Sequence, residues 1–130
     1  MKISFDFDGT LTQDFVKVLC KNLVEEGHDV WITISRTILH LYGYNVAMHE
    51  DVFFTARVVG IPKEKIYFTQ RRFKAKYLEE NKFHIHIDND EYELREIKKT
   101  KVLGLDVEDK DLIDKINLEK NLNTLNISII

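Results

Sequence analysis

Five short apolar runs, separated by stretches of helical spacing, constrain this 130-residue chain more than any other feature. The runs begin at Lys2, Asp29, Ile66, Phe83 and Val102, and short polar or glycine-bearing connections punctuate them. Strand and helix alternating with short connections specify a parallel, doubly wound sheet with helices on both faces. The expected fold is therefore α/β, a Rossmann-like three-layer sandwich around a central five-stranded parallel sheet. One such sheet accounts for the whole length, so residues 1–130 read as one domain.

The opening run, Lys2-Ile3-Ser4-Phe5-Asp6-Phe7-Asp8, carries β-forming residues and is broken by Gly9-Thr10. Thr12 or Asp14 then caps a helix through about Glu26, with Phe15, Val18, Leu19, Leu23 and Val24 as its core-facing stripe. Gly27 stops that helix, and Asp29–Arg36 follows as a near-continuous apolar strand typical of a buried parallel sheet. Thr37–His49 reads as loop with one helical turn, and Glu50–Val59 as a helix closed by Gly60-Ile61-Pro62. The remaining elements are strand Ile66–Thr69, helix Arg71–Glu80 with Phe73, Tyr77 and Leu78 inward, strand Phe83–Asp88, helix Asp90–Lys99, strand Val102–Val107 and helix Asp109–Asn121. In the tail, Leu125, Ile127 and Ile129 alternate with polar residues, which suggests an edge strand or a dimer contact.

Composition excludes several classes. With 44% hydrophobic and 32% charged residues the chain is neither disordered nor fibrous, and no apolar run approaches membrane-spanning length. The start is unlike a signal peptide, and the single Cys20 forms no internal disulfide, so a reducing cytoplasm is expected. Cys20 lies in an apolar helical pattern and reads as a buried, inert thiol. The net charge of −3 gives no overall attraction to nucleic acid, yet residues 63–82 hold seven basic side chains against three acidic ones. Such a patch is a solvated face or a surface that favours an anionic substrate.

Parallel sheets bind ligands at the carboxyl ends of their strands. Polar groups gather at those ends here: Asp6 and Asp8 after the first strand, Thr33, Ser35 and Arg36 after the second, Lys74 after the third, and Asp88, Asn89 and Asp90 after the fourth. Two carboxylates two residues apart repel each other unless a cation neutralises them. Mg²⁺ suits them, because it takes hard oxygen ligands and accepts one or two carboxylates together with a substrate phosphate. A helix-capping turn is the plainer alternative for the same residues. His84 and His86 share a strand face and could hold a metal, although two histidines with separate hydrogen-bond partners are the simpler account.

In order and spacing these groups resemble the haloacid dehalogenase-like superfamily of phosphohydrolases. The Asp6-Phe7-Asp8-Gly9-Thr10 stretch matches that family's Asp-x-Asp-Gly-Thr motif, and Lys74-Ala75-Lys76-Tyr77-Leu78 followed by His86-Ile87-Asp88 resembles its lysine helix and acidic strand end. The resemblance covers most of residues 1–96. It implies a Mg²⁺-dependent phosphomonoesterase in which Asp6 is the nucleophile and Asp8 the general acid and then base. It further implies that Lys74 neutralises the transferring group, that Asp88 completes a Mg²⁺ shell with Asp6 and Asp8, and that Gly9, Thr10, Ser35 or Thr33, and Arg36 receive the phosphate. The reason is electrostatic: a carboxylate approaches a phosphate dianion only where fixed cations and donors offset their repulsion.

The sequence departs from the family at two places. Counting back from Arg36 places Ile34 where a hydroxyl donor belongs, so Ser35 or Thr33 must serve, with Ser35 nearer the loop. Asn89 stands where many members carry a second acid, with Asp90 able to compensate or to cap the next helix. Lys76 is the alternative to Lys74. Only about 20 residues separate Asp8 from the second strand, which leaves no room for a cap domain. An open site suggests a large substrate such as a nucleic-acid end or a phosphoprotein, or else a cap supplied by a partner chain, with a phosphorylated small molecule also among the expected ligands. The Arg71/Arg72/Lys74/Lys76 cluster and Arg36 suit a nucleotide or polynucleotide phosphate. The alternative from another class is a catalytically silent domain of the same fold that binds a phosphorylated ligand or a partner protein. A signalling receiver orders its acids, hydroxyl and lysine differently and is discounted.

Overall fold

The computed structural model describes residues 1–37, 39–40, 43–44 and 49–129. Its centre is a five-stranded, all-parallel sheet built from β1 (Lys2–Phe5), β2 (Asp29–Ile34), β5 (Ile66–Phe68), β6 (Ile85–Asp88) and β7 (Leu103–Asp106), in the order β5-β2-β1-β6-β7. Two strands, β2 and β5, are laid down outward from β1 on one side, and the chain then crosses back to continue with β6 and β7 on the other. The strand order therefore reverses between β1 and β6, which are adjacent in register from Ile3↔Ile85 to Phe5↔Ile87. A crevice opens at such a reversal, just beyond the strand ends.

Side chains alternate across the sheet and sort the two faces. Ile3, Phe5, Val30, Ile32, Ile34, Ile85, Ile87 and Leu105 point into one core. That core is covered by α1 (Asp14–Glu25), α2 (Glu50–Val59) and the start of α5 (Leu112–Ile129), through residues such as Cys20, Leu23, Val52, Ala56, Leu112 and Ile116. The opposite face carries a smaller core. There Ala75 and Leu78 of α3 (Ala75–Glu80) and Ile97 of α4 (Glu91–Ile97) pack with Phe83 and Val102, flanked by Trp31 and Tyr77. The three-layer α/β arrangement agrees with the sequence-based expectation. No helix of the described residues is long and apolar enough to cross a membrane.

Four local expectations are corrected. In α1 the inward residues are Val16, Cys20 and Leu23, whereas Phe15 and Val18 are exposed; the helix is turned relative to the expected stripe. Within the stretch read as loop with a helical turn, Leu39–His40 (β3) and Gly43–Tyr44 (β4) pair as an antiparallel ladder, and Leu41 and Tyr42 lie outside the described residues. The helix expected from Arg71 begins only at Ala75, because Gln70 and Arg71 both adopt left-handed backbone (φ 58° and 64°), and Phe73 is exposed rather than inward. The tail expected as a strand continues α5 to Ile129. No glycine or proline interrupts it, and Leu118, Leu122 and Leu125 also satisfy helical spacing.

Candidate active site at the strand reversal

The site is built where β1 and β6 end side by side. The parallel ladder runs one step past β1, where Asp6 N–H donates to Ile87 O at 2.8 Å. The chain then leaves through a wide turn over Phe7–Leu11, closed by Leu11 N–H donating to Asp6 O at 3.2 Å. Gly9 within that turn has φ +76°, and a Cβ built on it would come within 2.3 Å of the Asn89 amide. The backbone angle favours glycine, and the space beside the Asn89 amide requires it.

Asp6 and Asp88 meet through Lys74. The Lys74 ammonium lies 2.6 Å from Asp6 Oδ1 and 2.7 Å from Asp88 Oδ2, and all three side chains are buried. Its own backbone is fixed by Lys74 N–H donating to the buried Glu93 Oε2 of α4 at 3.0 Å. One ammonium cannot neutralise two buried carboxylates, so the two aspartates are held unequally. Burial works against an ionised Asp88, but His86 and Lys74 outweigh it and hold the carboxyl well below the usual range. Asp6 has fewer donors, and burial pushes it up to about 6. Burial would discharge Lys74 as well, yet the two aspartates more than compensate and keep it protonated.

Asp88 is fully engaged. Oδ1 accepts from the backbone N–H groups of Asn89 (2.8 Å) and Asp90 (3.0 Å), while Oδ2 accepts from Lys74 and from His86 Nε2 at 2.7 Å. His86 is fully buried and burial lowers its pKa. Its Nδ1 lies 3.0 Å from Ser4 Oγ, which is 2.6 Å from Thr33 Oγ1. A polar chain thus crosses three neighbouring strands and ends on the site carboxylate. His84 is separate: it is exposed, and its Nδ1 accepts from Lys2 N–H at 3.0 Å. The two histidines have different partners and do not form a metal pair.

A second ion cluster lies at the mouth. The Arg36 guanidinium holds Asp8 through Nε (3.1 Å) and Nη2 (2.7 Å) and Asp51 of α2 through Nη1 and Nη2, both at 2.9 Å. It also stands 5.4 Å from the Phe7 ring centre. Hydrogen bonding to Arg36 holds Asp51 below its ordinary value.

The remaining expected residues fall as follows. Thr10 Oγ1 donates to Asp6 Oδ2 at 3.1 Å. Thr33 is buried against Ser4, while Ser35 is exposed at the strand end and its carbonyl accepts from Arg71 N–H at 2.8 Å. Lys76 is solvated and pairs with Glu80 at 3.9 Å, so Lys74 is the lysine of the cluster. Asp90 caps α4, its Oδ1 accepting from Tyr92 N–H at 2.8 Å. Cys20 is buried, and burial pushes its thiol up to about 12, as an inert thiol requires. Reading the sequence missed Asp51 and Ser4, and it gave His86 a hydrogen-bond partner without identifying that partner as Asp88. Ser4 and His86 each stand two residues before a site aspartate in an otherwise apolar strand, a spacing that places them on the same face as that aspartate.

Among the described residues no three His, Cys, Asp or Glu side chains converge on a point that could hold a metal ion. A mixed set of groups does converge. One terminus of the Asn89 amide lies 3.0 Å from Asp6 Oδ2 and 3.1 Å from the backbone carbonyl oxygen of Asp8. The terminus facing them is the amide nitrogen, which donates to both; the carboxylate and carbonyl oxygens themselves are the donor chemistry that Mg²⁺ selects, so these two groups fit that ion. In comparisons with family models, curated proteins and solved structures, the chain matches none.

Proposed function

We propose that this protein is a Mg²⁺-dependent phosphomonoesterase that works through an aspartyl-phosphate on Asp6. The observation that carries the reading is the Asp6–Lys74–Asp88 cluster: a buried carboxylate, fixed on one oxygen by an ammonium, at the end of the strand where the sheet order reverses. Asp8, two residues on and open to solvent, is the second carboxylate that such a reaction needs. Asp6 and the Asp8 carbonyl are among the groups that would hold Mg²⁺, which supplies positive charge against the carboxylate and the phosphoryl oxygens.

The chain's own residues account for the remaining chemistry. Asp6 attacks phosphorus, the ester P–O bond breaks, and Asp8 gives its proton to the leaving oxygen. Asp8 then takes a proton from water as that water attacks the phosphorus of the aspartyl-phosphate, releasing phosphate and restoring Asp6. Lys74 keeps its proton throughout and offsets charge on the transferring group. Thr10 positions Asp6, and Ser35 and Arg36 stand where a phosphate would be received. Arg71 and Arg72 are exposed on the loop bonded to Ser35, which supports a nucleotide or a nucleic-acid end as substrate. The single buried thiol suits a cytoplasmic setting.

The test is phosphate release from aryl phosphates and nucleotides with and without Mg²⁺. Wild type is expected to turn over only with the ion, and Asp6→Asn to lose turnover. An inactive wild type, or an active Asp6→Asn, sinks the reading. A specific observation favours a second one: Arg36 holds both oxygens of Asp8, so the acid and the phosphate-receiving arginine occupy each other. A silent domain that only binds a phosphorylated ligand would keep that pairing. Trapping a fluoroberyllate adduct on Asp6 would argue against it.

A further inference from the structure

Three fully buried polar side chains stand in the middle of the sheet and take no part in the chemistry proposed above: Thr33 on β2, Ser4 on β1 and His86 on β6. They form a row across adjacent strands, with Ser4 and His86 in direct register. Thr33 Oγ1 lies 2.6 Å from Ser4 Oγ, and Ser4 Oγ lies 3.0 Å from His86 Nδ1. Such a row adds little to stability, because its bonds mainly offset the cost of taking each group out of water. Apolar side chains of similar size would serve the sheet as well. What the row accomplishes is at its far end. His86 Nε2 lies 2.7 Å from Asp88 Oδ2, the same oxygen that the Lys74 ammonium reaches at 2.7 Å. An ionised carboxylate only accepts, so the hydrogen is on Nε2. A half-turn of the ring would set carbons against both Ser4 and Asp88, so the bond to Ser4 selects the orientation that serves Asp88.

We infer that the Thr33–Ser4–His86 row is a positioning device for the proposed reaction: it fixes the His86 Nε2–H on Asp88 and so leaves Lys74 to serve Asp6 and the transferring group. The inference rests on the phosphomonoesterase reading above. With His86 in place, Asp88 has four donors, two on each oxygen, and is anchored at both. Without His86, Asp88 Oδ2 keeps the Lys74 ammonium as its one donor. The buried carboxylate then draws the ammonium toward itself and away from Asp6 Oδ1, which Lys74 holds at 2.6 Å. His86 thus acts through Asp88 and Lys74, as a positioning residue and not a catalytic one.

The experiment pairs nitrogen-15 NMR of the His86 ring with the kinetics of an aryl phosphate in Mg²⁺, for wild type, His86→Leu, His86→Gln and Ser4→Ala. In wild type the hydrogen is expected on Nε2, exchanging slowly with solvent. A ring without hydrogen on Nε2 overturns the inference, and that measurement needs no variant. His86→Leu is expected to lower kcat about tenfold or more, with KM within about twofold of wild type. His86→Gln, whose amide NH₂ replaces the Nε2 donor, should recover kcat to within about threefold. Ser4→Ala should fall between the two, with its Nε2–H exchanging faster. A row that only supports the fold gives a different pattern. Unfolding midpoints then drop while the folded variants keep wild-type kcat, or the glutamine performs no better than the leucine. Either result overturns the inference and leaves the phosphomonoesterase reading in place. If His86→Leu does not fold, Ser4→Ala decides by itself, and wild-type kcat in that variant overturns the inference. A folded wild type that releases no phosphate overturns the reading above, and the inference with it.

Discussion

Two clusters of one composition flank the end of β1, and each sets a single cation between two aspartates. In Asp6–Lys74–Asp88 the side chains are 7%, 2% and 0% exposed; in Asp8–Arg36–Asp51 they are 55%, 25% and 54% exposed. The hydrogen bonds are of similar length, so geometry does not separate them. Solvent does. Around Arg36, water screens every charge, so that cluster asks little of the fold. Around Lys74 there is no such screen, and burial raises the proton affinity of the aspartate with the poorer donor set, Asp6. The buried cluster thus concentrates a proton affinity near neutrality on the residue proposed as nucleophile, while the exposed one orients an arginine at the mouth.

The largest expected effect comes from removing the buried cation. Lys74→Met leaves two desolvated carboxylates unpaired and should cost about 3–5 kcal/mol in urea unfolding. A loss below 1 kcal/mol would erase the distinction between the clusters. Next is pH dependence in the metal-free protein. Asp6 binds its proton more tightly folded, at about 6, than at its ordinary 3.8. The folded state is therefore the proton-rich one between those values, so the Asp6 contribution to stability falls as pH rises through them and then levels off. Asp88 works in the opposite sense below the ordinary carboxylate range: it stabilises when ionised and loses that contribution as pH falls. Stability curves of wild type and Asp6→Asn in chelator should diverge by roughly 2 kcal/mol between about pH 4 and 6, with wild type the loser; parallel curves would show that Asp6 titrates normally. Smallest is the exposed cluster. Arg36→Ala should change stability by less than about 1 kcal/mol yet raise KM for a phosphate ester more than it lowers kcat. A stability loss as large as that of Lys74→Met would place both clusters in one class.

The sheet was readable because buried parallel strands announce themselves as short apolar runs, and the acids at their ends came with them. Asp6, Lys74 and Asp88 were identified, and the structure brings them into one cluster. The failures share a cause, which is that local pattern lost to tertiary demands. Residues Arg71–Lys74 read as the start of a helix, but the backbone takes left-handed angles at Gln70 and Arg71, with Arg71 N–H donating to Ser35 O and Lys74 turned inward. Phe15 and Val18 satisfied an apolar stripe without being buried, since α1 is oriented by Val16, Cys20 and Leu23. The tail offered period 2 and period 3.6 together, and continuity with α5 decided it. Asp51 gave no signal at all: nothing local marks an acid in the first turn of a helix as the partner of an arginine on another element.

Gly9 ties two distant parts of the chain into one unit of change. Its backbone angle alone would admit an asparagine, and its crowding alone would admit a larger residue if Asn89 were shortened; the two demands together admit neither. Positions 9 and 89 are therefore not free to drift separately. A redesign of this site, or a lineage departing from it, would have to alter the turn after β1 and the residue after β6 in the same step.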